Sequence, residues 1–238
     1  MNKPLFSESP SANNIWSPDE IIATAPDLQD RLLGWWYKLT AVPEPPVGAS
    51  FVKREAARHV RLFSTVAFFF LLTLSIFFPA CKFLPNPVII YLDGALIGVT
   101  IITLMLNRAG KAVAAGILLI IASEIVLTAA IMTTIPFDGP SVQLYDLYLI
   151  IDLLAVSLLA PQTVFILAVV NSLFIGFDLI YQPHTPGLTA DLAAQYIPML
   201  VRPIGLQIMI AGVAYLWVRN ANRAIVRAER AEMIAALE

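Results

Sequence analysis

The chain has 238 residues, of which 58% are hydrophobic and only 13% charged, and its mean hydropathy is +0.77. Soluble domains run at about 45–50% apolar and about 25% charged residues, so this composition excludes a disordered chain, a nucleic-acid module and an ordinary soluble enzyme. Fifteen Lys and Arg against seventeen Asp and Glu leave a net charge of −2, which names no partner, and a single cysteine, Cys81, excludes an internal disulfide framework.

Residues 1–15, rich in Ser, Asn and Pro, read as a tail. Ser17-Pro18-Asp19-Glu20 then carries an N-cap, a first-turn proline and a following glutamate, a helix-start signature. A second helix is predicted from Pro26 to about Thr40, gathering Leu28, Leu32, Trp35, Trp36 and Leu39 on one side. With Trp35, Trp36 and Tyr37 nearly adjacent, it is expected to lie at the headgroup level of a membrane; the alternative is that it packs on another part of the protein or on a second copy. Val42-Pro43-Glu44-Pro45-Pro46 reads as a stiff connector, and Ser50 as the cap of a helix entering the bilayer.

A membrane-crossing helix needs about 20 mostly apolar residues. Six stretches qualify: Leu62–Ala80, Val88–Leu106, Ala112–Thr134, Leu144–Ala160, Thr163–Tyr181 and Met199–Val218. Pro161-Gln162 predicts a tight hairpin between the fourth and fifth, and Pro198 and Pro203 predict a kink or an irregular entry near the start of the sixth. An outer loop is expected over Gln182–Tyr196, with His184 solvated in it. Lys53, Arg54, Arg58, Arg61, Arg108, Lys111, Arg219, Arg223, Arg227 and Arg230 fall on one side, against Lys82 and Arg202 on the other. By the positive-inside rule both termini are cytoplasmic in a cell membrane. Lys53, Arg54, Arg58 and Arg61 also suit anionic lipid heads, although their role in setting orientation already accounts for them. The first span begins after residue 60 with no cleavable signal before it, so it is expected to remain as an anchor.

The expected architecture is therefore all-α and polytopic: a cytoplasmic front end with an amphipathic helix (1–50), six transmembrane helices (51–218) and a cytoplasmic coiled-coil-like helix (219–238). Intramembrane ionisable groups usually face a cavity, a partner or water. Asp93, Asp146, Asp178 and Arg202 are expected in the outer third, and Glu124, Asp152, Asn171 and Gln207 nearer the midplane. Asn171 and Asp178 share a helix face, as do Asp93 and Thr100. These eight side chains form a candidate ligand-binding chamber open to the outside, with Arg202 holding a carboxylate ligand or neutralising part of the acidic set; pairing that merely fixes helix packing is the structural alternative. Arg202 is expected to pair with Asp178 or Asp146. Nucleophile elbows, zinc-binding patterns and phosphate loops are absent from the sequence, so neither an enzyme, nor a metal site, nor a cofactor is expected.

The sixth span leaves the membrane as YLWVR and continues as NANRAIVRAERAEMIAALE without Gly or Pro. Ala221, Ala228 and Ala235 recur every seven residues with Ala224 and Ala231 between them, a heptad stripe suited to close pairing in a homodimer. A helix without a stop signal suggests a truncated chain or a following domain beyond Glu238.

Arg202-Pro203-Ile204-x-Leu206-Gln207, YLWVR and RAERAEMIAALE, together with WWYKLTAVPEPPVGASFVKREAARH at the front, resemble the membrane-integral input modules of bacterial signalling proteins, of the broad MASE type. The resemblance spans most of residues 28–238. It implies a multi-helix sensor feeding a signalling helix and then a HAMP-like, histidine kinase or cyclic-dinucleotide output domain, in the same chain or a partner. A small ion-coupled transporter and an accessory subunit of a larger membrane complex are the competing readings.

Overall fold

The computed structural model describes residues 28–43, 46 and 51–235. The chain divides into residues 1–35 and 36–238. Of the first unit, residues 28–35 are described, and they are helical. The Ser17–Glu20 helix start, the Ser50 cap and the side chains of Ala228, Ala231 and Ala235 lie outside the described residues.

Helix α1 (Leu28–Thr40) is followed by α2 (Phe51–Ala80), α3 (Val88–Arg108), α4 (Ala112–Thr133), α5 (Tyr148–Leu158), α6 (Thr163–Tyr181) and α7 (Pro186–Ala235). Short 3-10 segments occupy Cys81–Phe83 and Pro140–Leu147. Among the described residues there is no strand, only an isolated bridge between Phe137 and His184. Six segments are long and apolar enough to cross a membrane: Lys53–Phe83, Val88–Arg108, Ala112–Thr133, Pro140–Leu158, Thr163–Tyr181 and Pro186–Ala221. Their outer faces expose Ile76, Met105, Ile125, Leu173, Ile197 and Trp217. In water that much exposed apolar surface would drive association, whereas lipid solvates it. Six helices long and apolar enough to span a bilayer, with apolar outer faces, are the features of a multi-pass helical membrane protein.

Consecutive spans are joined tightly. α3 ends in a Schellman turn: the Gly110 amide donates to the Asn107 carbonyl (2.9 Å) and the Lys111 amide to the Leu106 carbonyl (3.0 Å). That turn needs a left-handed residue at its centre, which Gly110 supplies at φ 78°. Leu159 is extended after α5, and Pro161-Gln162 completes the predicted hairpin into α6. At the opposite end of the bundle, Asn86 Nδ2 donates to the Thr133 and Thr134 hydroxyls (3.0 and 3.1 Å). There too Gln182 Nε2 donates to the carbonyls of Ile131 and Thr134 (2.9 and 3.1 Å).

Three sequence expectations are corrected. The fourth span enters as the 3-10 segment Pro140–Leu147 before α5, rather than as a regular helix from Leu144. α7 begins at Pro186, so the expected loop over Gln182–Tyr196 shrinks to four residues, Gln182 to Thr185. The expected kink is present, inside α7 at Gln195 (φ −138°, ψ 33°). Pro198 has no amide hydrogen and its ring crowds the carbonyl four residues back, at Ala194, which forces the break next to it. His184 is half-buried, with Nε2 enclosed and lacking a partner among the described residues, rather than simply solvated.

The end of α1 is docked on the bundle. Trp36 Nε1 donates to the Ser64 carbonyl (2.8 Å), the Tyr37 and Thr65 hydroxyls lie 2.7 Å apart, and the Thr40 hydroxyl meets that of Ser64. The Arg61 guanidinium sits over the Tyr37 ring at 5.4 Å. Asn107 closes the arrangement by donating to the carbonyls of Thr40 and Val60, both at 3.0 Å. From Trp36 onward this is the packing alternative; a helix lying freely at the headgroup level would not bury these hydroxyls.

Candidate functional site

The eight polar residues expected in the spans fall into four groups. At one end, on the 3-10 segment before α5, the Asp146 carboxylate accepts a hydrogen bond from Arg202 Nη2 of α7 at 2.8 Å. Asp178 is therefore not the partner of Arg202. The pair is open, with side-chain exposures of 63% and 32%. An ion pair that retains solvent or headgroup contact contributes about 0–1 kcal/mol, so its value lies in fixing α7 laterally rather than in stability.

Asp178 of α6 is buried and receives the Tyr145 hydroxyl at 2.6 Å. One turn further along, the Tyr148 hydroxyl meets that of Thr128 at 2.8 Å. Tyr145, Tyr148 and Thr128 are site residues that sequence reading missed. Their signal was present: Tyr145, Tyr148 and Asp152 follow each other at spacings of three and four, which puts their hydroxyl and carboxyl groups along one helical face.

The third group lies deeper. Asn171 Nδ2 donates to Glu124 Oε1 at 3.1 Å, bridging α6 and α4. Asp152 of α5 lies near enough to Glu124 for their charges to interact. Asp152 and Gln207 are fully enclosed, with 0% exposure. Neither oxygen of Asp152 and neither polar atom of Gln207 has a hydrogen-bond partner among the described residues. Burying such atoms unpaired costs free energy, and it sets them apart from the Thr100, Thr103, Ser123 and Ser172 hydroxyls, which bond to their own helices.

Asp93 stands apart on α3. It is buried with Oδ2 unpartnered, while Thr100, two turns along the same face, bonds back to the Leu96 carbonyl at 2.7 Å. Among the described residues no group of three or more His, Cys, Asp or Glu side chains is placed to hold a metal ion.

At the other end, Lys53, Arg54 and Arg58 are exposed and Arg61 is half-buried against Tyr37. Here α2 and α4 flank a cleft of about 410 Å³ lined by Glu55, His59, Val60, Lys111 and Val113. Ala221 and Ala224, on the part of α7 beyond Val218, are exposed in the single chain. The fold and these sites define a polytopic helical membrane protein with a polar interior layer and a long terminal helix. Comparison with family models, with curated protein sequences and with solved structures returns no match to this chain.

Proposed function

We propose that the chain is a membrane-embedded sensory input module whose signal leaves through α7 to a cytoplasmic output domain. In this reading both termini are cytoplasmic, and two copies pair along the terminal helix. The observation that carries it is the continuity of α7. Past Gln195 the helix runs to Ala235 without a further break in backbone geometry. At about 1.5 Å per residue it is about twice as long as the roughly 30 Å hydrocarbon core is thick. In this reading one continuous element carries Arg202 near one end, the enclosed Gln207 further along and the alanine stripe beyond the membrane. A rotation or shift imposed at Gln207 is delivered to that stripe.

Alanine contacts bring two helices close while burying little surface, so a pair built on them turns or slides at small cost. Arg219, Arg223 and Arg227, at the start of the protruding segment, hold its depth against anionic lipid. The resemblance of the chain to MASE-type input modules supports the same assignment.

The test is disulfide crosslinking. In a Cys81→Ser background, cysteines placed singly from Ala221 to Ala235 are expected to crosslink with a period near 3.5, peaking at Ala221, Ala224, Ala228, Ala231 and Ala235. Equal crosslinking at all positions would reduce the segment to a tether.

The enclosed carboxyls and the broken entry of α7 also favour a second reading, an ion-coupled carrier. Solute or ion flux in proteoliposomes would establish that reading, and the long helix beyond Val218 would then have no part in transport.

A further inference from the structure

Val156, Val164, Ala168, Ala211 and Ala214 pack together where α5, α6 and α7 meet. Consecutive spans run antiparallel, so one turn in a common direction leads from Val156 to Asp152, from Ala168 to Asn171 and from Ala211 to Gln207. Those three side chains form the next layer, and Glu124 joins it from α4 through its bond with Asn171. The layer is enclosed: Asp152 and Gln207 are 0% exposed and Asn171 is 2% exposed.

Its ionisable groups are all of one sign, and its donors are the two amide groups, of which Asn171 Nδ2 serves Glu124 and Gln207 Nε2 is unpartnered among the described residues. Two carboxyls and two amides present oxygen atoms, yet α4, α5 and α6 contain no Lys, Arg or His. On α7, Arg202 is committed to Asp146. Two adjacent carboxyls in a low-dielectric interior do not both remain charged without a positive partner. Both Asp152 oxygens and Gln207 Oε1 lack any donor among the described residues, so they stand ready to face one.

We propose that Glu124, Asp152, Asn171 and Gln207 form a binding site for one small monovalent cation, sodium or a proton. These two share the chemistry of neutralising an enclosed carboxylate with hard oxygen neighbours. Calcium requires six to eight oxygens and magnesium a near-ideal octahedron, while softer metals require nitrogen or sulfur ligands that this layer does not contain. Between this layer and the Asp146–Arg202 pair along α5 come the Tyr145–Asp178 and Tyr148–Thr128 hydrogen bonds. Because Gln207 belongs to α7, occupancy of the site acts on the helix that leaves the membrane. That consequence rests on the sensory reading; the binding itself does not.

The experiment is thermal unfolding of the purified full chain in detergent, with sodium chloride exchanged for choline chloride at constant ionic strength, at pH 6 and pH 8.5. For a sodium site, the wild-type midpoint at pH 8.5 should rise by about 5–10 °C at a hundredfold excess over the dissociation constant. The rise should shrink at pH 6, where protons compete. Asp152→Asn should lose the response to both ions, and in choline at pH 8.5 it should unfold above wild type, having no uncompensated charge to bury. Gln207→Leu should raise the half-saturating sodium concentration about tenfold. If the occupant is a proton, wild type responds to pH alone, and Asp152→Asn removes that response.

Identical sodium and pH dependence in wild type and Asp152→Asn would overturn the site. Should Asp152→Asn fail to fold, Glu124→Gln supplies the same comparison, and an unchanged response there is equally fatal. No output domain takes part, so a negative result removes the cation and leaves the relay through α7 standing. A sodium response together with flat crosslinking of the terminal helix removes the relay and leaves the site.

Discussion

Replacing Asn107 by leucine is expected to cost about 2–4 kcal/mol and to release the C-terminal turn of α1 from the bundle. Asn107 is fully buried near the end of α3, and its amide reaches both the last residue of α1 and the third turn of α2, at Val60. The Val60 carbonyl keeps its helical partner when the amide is removed, so the larger loss falls on the Thr40 carbonyl at the helix end, which has no such alternative. That loss is the missing bond plus the cost of leaving an enclosed acceptor unpaired. Backbone amides of residues 36–40 should then exchange with solvent at least about 30-fold faster, as an opening free energy lowered by about 2 kcal/mol requires. Unchanged exchange there, with an unchanged unfolding temperature, would mean that Trp36, Tyr37 and Thr40 hold the segment by themselves.

The second large effect concerns orientation and should be close to all-or-none. Asn107 brings the ends of α1 and α3 to the early part of α2, and the cleft between Glu55, His59 and Lys111 adds the start of α4. The Thr133, Thr134 and Gln182 contacts gather the other ends of α4 and α6 with Asn86. Each bundle end thus carries a defined set of loops, and the basic residues concentrate on the first. In a Cys81→Ser background, Gly139→Cys and Gly187→Cys should react with an impermeant thiol reagent added to sealed cells, whereas Lys111→Cys should react only after permeabilisation. The first two sites are open, with nothing within 4 Å of an added Cβ, and Lys111 is exposed beside the Gly110 turn. Labelling of Lys111→Cys in sealed cells would invert the topology.

How much of this was legible in the sequence depended on the range of the signal. Spans announce themselves through local composition, so α6 matches its expected bounds and α3 departs by a single turn's fraction at one end. α7 was misplaced because its first turns, from Pro186 to Tyr196, are polar enough to resemble a loop. The correct signal was local, however. Thr185 before Pro186 is a cap followed by a first-turn proline, and the Thr185 hydroxyl does accept the Leu188 amide at 3.4 Å. The partners of the buried polar groups were harder to see. Asn107 reaches 67 residues back to Thr40 and Asn171 47 residues back to Glu124, and helical periodicity fixes which face a residue occupies but not which helix covers it. Counting residues along each span groups Glu124, Asp152, Asn171 and Gln207 at similar depth; of these, the structure joins Asn171 to Glu124 and encloses Asp152 and Gln207. What counting could not supply was the identity of Tyr145 as the partner of Asp178, since a tyrosine hydroxyl extends well beyond its own turn.

The central claim is that α7 transmits phase from the polar layer to whatever follows it. Its most direct test is an insertion series in a fusion of residues 1–238 to an output domain of measurable activity. Each added residue turns the following helix by about 100°, and seven residues make about two full turns. Insertions of one, two or three residues after Arg219 should therefore move output out of phase, up or down by about tenfold, and an insertion of seven should return it close to the uninserted level. Output that declines steadily with insertion length, or that ignores it, would contradict the account.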